Sequence, residues 1–158
     1  MDGGNKLKDG DTAPDFELED TQGGMHRLSE FAGKKLVLYF YPKDDTPGCT
    51  IEACDFTARR GQMEKAGAIV VGVSPDGAQS HAKFEAKYKL RHLLLSDPEH
   101  KAAQMYGAWG EKKFMGKSFA GIRRSTFVIV ADGRIAHALY DVSPAGHAEQ
   151  ILKMLGKI

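Results

Sequence analysis

The chain of 158 residues has the length of one domain and is long enough to bury an apolar core. Hydrophobic residues make up 42% and charged residues 27%, which excludes a wholly disordered chain. The formal net charge of +1 argues against a broad basic surface for nucleic acid, and no apolar run approaches the ~18 residues of a membrane span. The first residues show no secretory signal, so we expect a cytoplasmic protein.

The apolar pattern along the chain predicts alternating strands and helices. A hairpin of short strands at 15–19 and 25–28 precedes a strand at 36–41 that is apolar on both faces, as in a buried parallel strand. Helices are predicted at 50–65, 78–88 and 98–106, and strands at 68–73 and 93–95. Because strands and helices alternate, we expect parallel strands joined by right-handed crossovers.

The last third of the chain contains a second hairpin. The glycine-rich stretch 107–122 is predicted to be a loop, and strands at 126–130 and 135–140 flank Asp132-Gly133, a strong turn signal. Ser143-Pro144 is expected to open a final helix. Residues 1–158 are therefore predicted to form a single α/β domain, a mixed central sheet flanked by helices. A thioredoxin-like fold satisfies this order, and other α/β sandwiches remain possible.

Cys49 is the first candidate for chemistry. It follows the carboxyl end of a buried strand and opens a helix, where unpaired N–H groups and the helix dipole stabilise a thiolate. Pro42 and Pro47 stiffen the loop before it, and Thr46 offers a hydroxyl for a bound oxygen. A loop threonine also commonly caps a turn or a helix. The low number of cysteines, two, fits a reducing cytosol in which thiols serve catalysis or metal binding.

Cys54 lies five residues after Cys49. On a regular helix the two Cα atoms are roughly 8–9 Å apart, whereas a disulfide spans at most about 7 Å. A bond between them would require the helix to unwind. Cys54 could equally be a packed residue, because Ile51, Cys54 and Ala58 share one stripe of the helix. The spacing leaves both interpretations open.

Metal centres are disfavoured by the sequence. A Cys-x4-Cys spacing suits zinc, but the six histidines show no His-x3–5-His pair to complete the ligand set. Two cysteines are also too few for an iron–sulfur cluster. We therefore expect neither a metal nor another cofactor.

The stretch from Tyr39 to Cys54 resembles the active-site segment of peroxiredoxins. Pro42-x-x-x-Thr46-x-x-Cys49 is similar to their motif, and a second cysteine five residues later is typical of the peroxiredoxin Q, or bacterioferritin comigratory protein, subfamily. The segments 109–117 and 121–127 resemble the family's loop and its arginine-bearing segment. The resemblance covers nearly the whole chain and implies the thioredoxin-like fold of peroxiredoxins.

The resemblance also implies a mechanism. Cys49 would be the peroxidatic cysteine and become a sulfenic acid on reaction with hydrogen peroxide or an organic hydroperoxide, and Cys54 would resolve it as an intramolecular disulfide. Thioredoxin, glutaredoxin or a similar dithiol would reduce that disulfide. Arg124 matches the family's arginine beside the thiolate, although spacing alone does not separate it from Arg123. Because the disulfide lies within one chain, a monomer is plausible.

Two other functions compete with a peroxidase. A disulfide oxidoreductase acting on proteins would share the fold, but the chain lacks the Cys-x-x-Cys spacing of thioredoxins. A copper-delivery or redox-sensing module would need a further His or Met ligand and an exported or anchored chain. Peroxide consumption with a thioredoxin system separates the three functions.

Overall fold

The structure, a computed structural model, describes residues 6–158 of the chain. Within this range the helices are α1 (Pro47–Ala58), α2 (Arg60–Lys65), α3 (Ala78–Tyr88), α4 (Lys101–Met105) and α5 (His147–Leu155), with a 3-10 helix at Leu28–Phe31. The strands are β1 (Glu17–Glu19), β2 (Met25–Arg27), β3 (Lys35–Phe40), β4 (Ala68–Ser74), β5 (Leu93–Ser96), β6 (Trp109–Phe114), β7 (Lys117–Ile122), β8 (Ser125–Ile129) and β9 (Ile135–Leu139).

Seven strands form a mixed sheet in the order β2-β1-β5-β4-β3-β8-β9. β3, β4 and β5 run parallel, and the outer strands pair antiparallel to them. Side chains of β3 alternate between two apolar layers, so that Leu38 packs in the layer of α4 and Tyr39 in the layer of α1, α3 and α5. The predicted mixed sheet with helices on both faces is confirmed.

The predicted helix over 50–65 is two helices in the structure. α1 begins at Pro47, earlier than expected, because proline is readily accommodated at the first helical position. The chain leaves helical geometry at Arg59, whose φ of −103° and ψ of 14° separate α1 from α2. The last helix begins at His147 rather than Ser143, since Gly146 before it has a φ of 75° that no right-handed helix allows.

The prediction of a loop over 107–122 is wrong, because this stretch is a separate two-stranded hairpin of β6 and β7. Met115 and Gly116 connect the strands with φ angles of 51° and 80°. Positive φ at both central residues is typical of the turn that closes tight hairpins. The predicted helix over 98–106 is also shorter, since only Lys101–Met105 is helical.

The carboxyl ends of β3, β4 and β5 meet at one edge of the sheet. In open α/β sheets this edge commonly holds the reactive groups. The segment that leaves β3 here leads directly into α1 and Cys49. Among residues 6–158, no helix has both the length and the apolar character needed to cross a membrane.

Candidate active site

Cys49 lies within the first turn of α1. Thr46 immediately precedes this helix without capping it through its side chain, Pro47 occupies the first helical position, and the Thr50 amide donates to the Thr46 carbonyl at 2.9 Å. The free N–H groups of a first helical turn carry partial positive charge, which stabilises an anion there. Because α1 begins three residues earlier than predicted, Cys49 lies inside this turn rather than ahead of it.

Arg124 brings a fixed positive charge to Cys49. Its Nη2 donates a hydrogen bond to Cys49 Sγ at 3.3 Å, and only 1% of Cys49 is exposed. Arg124 lies in the segment between β7 and β8, 75 residues after Cys49 in the sequence, and the fold places it against α1. A permanently charged guanidinium at this distance favours the thiolate over the thiol.

Gly48 allows this close approach. A Cβ atom on Gly48 would lie 3.2 Å from Arg124 Nη2 and 3.4 Å from the Cγ of Pro144. The first of these contacts is tighter than most side-chain packing, so a larger residue would push the guanidinium away by a few tenths of an ångström. The glycine just before the cysteine therefore provides space for the charge that stabilises it.

Glu52 completes the buried charge cluster, and the sequence analysis did not identify it. Arg124 Nη1 donates to Glu52 Oε1 at 2.6 Å, whereas Oε2 is buried without a hydrogen-bond partner. Burial raises the pKa of Glu52 to about 7, although the positive charge of Arg124 opposes the shift. The sequence contained a signal that could have identified Glu52, because it lies three residues after Cys49 and so on the same face of the helix.

The pKa of the Arg124 guanidinium is also shifted. Burial acts to lower it, but the charges and hydrogen bonds of Glu52 and Cys49 outweigh burial and raise the pKa. Arg124 therefore stays charged although it is largely buried. The neighbouring Arg123 instead donates to Asp141 through Nε at 3.0 Å. The two arginines that the sequence left in competition thus have different partners, and Arg124 is the one that contacts Cys49.

Cys54 lies further along the same helix in a different environment. It is half-buried against the apolar cluster of α1 and α5, and burial raises the pKa of its thiol. Both cysteines are free, and a regular helix holds their Cα atoms roughly 8–9 Å apart. The suggested packed stripe is wrong for its other two members, because Ile51 and Ala58 are exposed.

Thr46 and Pro42 lie in the segment before α1. The Thr46 hydroxyl donates to the Lys43 carbonyl at 2.9 Å, which leaves the lone pairs of its oxygen able to accept a hydrogen bond. Pro42 is half-buried at the start of the segment, immediately after the buried Tyr41. The Thr46 hydroxyl thus stabilises the turn from Lys43 to Thr46, and Thr46 lies next to the first residue of α1.

The hairpin of β6 and β7 borders this site. Lys112 Nζ donates to the Ile122 carbonyl at 2.8 Å. Burial and the nearby charge of Arg124 lower the pKa of Lys112, and Cys49 opposes them, which places this lysine within electrostatic range of both site residues. The outer half of the hairpin exposes the apolar side chains of Phe114, Met115 and Phe119.

A second polar cluster lies on the other side of the segment before α1. Asp44, Asp76 and His81 offer ligand-type atoms within 4.8 Å of one another. Asp44 and His81 are hydrogen-bonded to each other at 2.7 Å, and the Asp44 amide donates to Asp76 at 2.7 Å. Hydrogen bonds alone account for the close approach of these three side chains. The expectation that the chain needs no metal stays a prediction.

The sequence of this chain is similar to those of known proteins. The sequence pattern of the AhpC/TSA family matches residues 10–138, a range that contains Cys49, Cys54 and Arg124. Peroxiredoxin Bcp of Bacillus subtilis is 45% identical over 146 residues, which cover 92% of this chain and 93% of the relative.

Solved structures show the same similarity. PrxQ of Xylella fastidiosa, determined as a cysteine-to-serine mutant, is 35% identical with a TM-score of 0.91, and the match covers 98% of each chain. Bacterioferritin comigratory protein of Xanthomonas campestris is 39% identical with a TM-score of 0.85 over 90% of each chain. The predicted thioredoxin-like fold is thereby confirmed.

Proposed function

Because the chain belongs to the AhpC/TSA family and is a Bcp-type peroxiredoxin, a thiol-dependent peroxidase, we propose that Cys49 is its peroxidatic cysteine. The observation that carries this assignment is the 3.3 Å hydrogen bond from Arg124 to the sulfur in the first turn of α1. Helix dipole and guanidinium together favour the thiolate, which is the nucleophilic form of cysteine.

The first chemical step is an attack of the Cys49 thiolate on one oxygen of the peroxide. An S–O bond forms as the O–O bond breaks, so the sulfur is oxidised to a sulfenic acid and the peroxide is reduced. The other oxygen leaves with a proton as water or an alcohol. Arg124 N–H groups stabilise the negative charge that develops on that oxygen, and the Thr46 oxygen accepts a hydrogen bond from the bound peroxide.

Cys54 is the resolving cysteine in this proposal. Its sulfur attacks the Cys49 sulfenic acid, an S–S bond forms, and the hydroxyl leaves as water with the Cys54 proton. Because a disulfide spans at most about 7 Å between Cα atoms, α1 must unwind between the two residues. A thioredoxin-type dithiol then returns two electrons by thiol–disulfide exchange, which restores both thiols.

The substrates are hydrogen peroxide and organic hydroperoxides. The Xanthomonas campestris protein of similar fold is described by its alkyl peroxide reduction activity, which supports the organic class. The two free thiols suit the reducing cytoplasm. Since both redox cysteines lie in one chain, the cycle needs no partner subunit, and we expect a monomer.

A coupled assay tests the proposal. The protein is supplied with hydrogen peroxide or an organic hydroperoxide, thioredoxin, thioredoxin reductase and NADPH, and peroxide loss and NADPH oxidation are followed together. We expect equal amounts of both. When thioredoxin is left out, we expect no NADPH oxidation and no more than one equivalent of peroxide consumed per protein. Reduction of a protein disulfide without peroxide consumption would identify an oxidoreductase acting on proteins and contradict the assignment.

A further inference from the structure

We propose that Asp44 is a positioning residue for Cys49, acting through a buried hydrogen-bond cluster that fixes the segment between β3 and α1. This inference rests on the proposed peroxidase function and adds a residue that does not touch the sulfur. Asp44 lies five residues before Cys49, and its side chain is only 3% exposed. A carboxylate in a short surface segment could remain hydrated at no cost, so its burial requires compensating partners.

The Asp44 carboxylate has three such partners. The Tyr41 hydroxyl donates to Oδ1 at 2.6 Å, the Ser80 hydroxyl donates to Oδ2 at 2.8 Å, and His81 Nδ1 lies 2.7 Å from the same Oδ2. Tyr41 follows β3, whereas Ser80 and His81 belong to α3. One side chain thus joins two points of the segment between β3 and α1 to each other and to α3.

The main chain of Asp44 is held as well. Its amide donates to Asp76 Oδ2 at 2.7 Å, and that oxygen also accepts from the Ser74 hydroxyl at 2.8 Å. Ser74 ends β4, and His81 Nε2 lies 3.0 Å from the carbonyl of Leu95 in β5. The cluster therefore connects the start of α1 to the carboxyl ends of all three parallel strands.

The positions of the acceptors define where the protons lie. A carbonyl oxygen faces His81 Nε2, so that nitrogen carries a hydrogen and donates to Leu95. A carboxylate oxygen of Asp44 lies 2.7 Å from Nδ1, so the other ring nitrogen of His81 is hydrogen-bonded to Asp44. Every polar atom of the Asp44 carboxyl group thereby has a partner, which makes the cluster rigid.

An asparagine at position 44 could keep all of these contacts. Its amide oxygen would accept from Tyr41, and its two N–H groups would donate to Ser80 and to the unprotonated Nδ1 of His81. Asp44→Asn therefore removes the charge but preserves the hydrogen bonds. Asp44→Ala removes both, so the two variants separate position from charge.

Asp45 supplies a matched control in the same segment. It is exposed, has a φ of 57°, and accepts from Lys87 Nζ at 2.8 Å and from the Tyr88 hydroxyl at 2.6 Å. Asparagine tolerates the left-handed conformation. Asp45→Asn thus removes one negative charge at a similar distance along the chain from Cys49, while the buried cluster stays intact.

The test measures two rate constants at Cys49 in Cys54→Ser protein. One is oxidation by hydrogen peroxide, which depends on alignment with Arg124. The other is alkylation by iodoacetamide, which needs the thiolate but no such alignment. We expect Asp44→Ala to slow oxidation about tenfold or more with alkylation little changed. Its melting temperature should fall, because Tyr41, Ser80 and His81 lose their buried partner. Asp44→Asn should stay within about threefold of the parent, and Asp45→Asn within about twofold.

Three outcomes would overturn the proposal. Oxidation of Asp44→Ala at the parental rate would show that the cluster does not position Cys49. A loss of alkylation that parallels the loss of oxidation would show a general loss of structure at Cys49. Asp44→Asn as slow as Asp44→Ala would assign the effect to charge. If Asp44→Ala does not fold, Tyr41→Phe, which removes one donor to Asp44, carries the same comparison with a smaller loss.

Amide hydrogen exchange keeps this inference separate from the peroxidase assignment. In Asp44→Ala, exchange should rise at residues 44–50 and remain parental in β8 and α5. Should the parent protein fail to react with peroxide, the proposed function fails, yet a local rise in exchange would still support a fixed segment. Unchanged exchange at 44–50 would contradict the inference whatever the activity.

Discussion

The two halves of α1 differ in what holds them. The first half carries Cys49 and Glu52, and Arg124 donates to both at 3.3 Å and 2.6 Å. The second half carries Cys54 and Phe56, which contact the apolar layer between the sheet and α5. Contacts with a charged side chain therefore hold the first half of α1, and apolar packing holds the second half.

This difference separates two cysteines that are close in sequence. A buried guanidinium donates a hydrogen bond to the sulfur of Cys49, whereas burial raises the pKa of the Cys54 thiol. A nucleophilic cysteine needs a neighbour that stabilises its thiolate, as Arg124 does beside Cys49. The raised thiol pKa of Cys54 is compatible with a cysteine that reacts only after another group has been oxidised. Proximity along a helix thus does not give two thiols equal reactivity.

The second half of α1 is also tied to the sheet. The Phe56 ring stacks on Tyr39 with centroids 4.9 Å apart, and Thr57 Oγ1 accepts from the Arg91 amide at 3.1 Å. His92, which is half-buried, lies 3.3 Å from the same hydroxyl oxygen. We therefore expect any unwinding of α1 to end at Phe56.

The largest expected effect comes from exchanging the two cysteines for serine. Cys49→Ser should lower peroxide reduction by roughly a thousandfold or more, because a serine hydroxyl is not ionised at neutral pH. Cys54→Ser should consume one equivalent of peroxide at the parental rate and then stop as a sulfenic acid. Rapid-mixing measurements of single and multiple turnovers distinguish the two. Sustained thioredoxin-dependent turnover by Cys49→Ser would contradict the difference drawn between the cysteines.

Replacing the arginines tests the charge at the first half of α1. Arg124→Met should slow oxidation of Cys49 by about a hundredfold, since it removes the donor to both the thiolate and the leaving oxygen. Arg123→Met, which removes a neighbouring charge whose partner is Asp141, should change the rate by less than about threefold. The thiolate absorbance measured against pH gives an independent readout. Equal losses in the two variants would show that Arg124 has no special relation to Cys49.

Hydrogen exchange of the reduced and oxidised protein tests the boundary between the halves. Formation of the disulfide should raise amide exchange before Phe56 and leave residues from Thr57 onward protected. α3 serves as an internal reference, because it lies outside the unwound segment. Exchange that rises through Ala58 and α2 would move the boundary, and unchanged exchange would mean that α1 stays helical on oxidation.

The smallest effect is expected from Glu52→Gln. Burial raises the pKa of Glu52 from 4.5 to about 7, so the folded chain binds this proton more tightly than the unfolded chain does. Its contribution to the free energy of unfolding is complete below pH 4.5 and is lost as the pH rises to about 7. Glu52→Gln cannot ionise and should gain stability relative to the parent over this range, on the order of 1–3 kcal/mol.

Urea unfolding at several pH values measures this gain. Glu64→Gln, which removes an exposed carboxylate paired with Arg60, controls for the loss of one charge. The stability difference between Glu52→Gln and the parent should widen with pH, and more than it does for Glu64→Gln. A difference that does not depend on pH would show that folding leaves the pKa of Glu52 at its ordinary value.

The sequence was sufficient for the main sheet because its signals are local. Continuous apolar runs marked β3 and β4, and Asp132-Gly133 marked the hairpin of β8 and β9. The hairpin of β6 and β7 escaped prediction, since its turn uses Met115-Gly116 and its outer residues are exposed on both faces. Gly61 lies two residues after the break at Arg59, inside α2, and a single glycine does not end a helical pattern, so the sequence predicts one helix where the structure has α1 and α2.

The candidate site was only partly predictable. Cys49 and Cys54 stand out by residue type and spacing, and the family resemblance selected Arg124. Glu52 could have been found from its place on the helix face of Cys49. Asp44 and His81 could not, because their pairing joins a segment and a helix 37 residues apart, and a fold is needed to bring them together.

Mass spectrometry of the protein after one equivalent of hydrogen peroxide tests the central claim, that Cys49 reacts first and Cys54 resolves it. Digestion without reduction should yield one intramolecular Cys49–Cys54 disulfide in the parent, and a dimedone adduct at Cys49 when Cys54→Ser is trapped. A dimedone adduct at Cys54 in the Cys49→Ser protein, formed at the parental rate, would contradict the account.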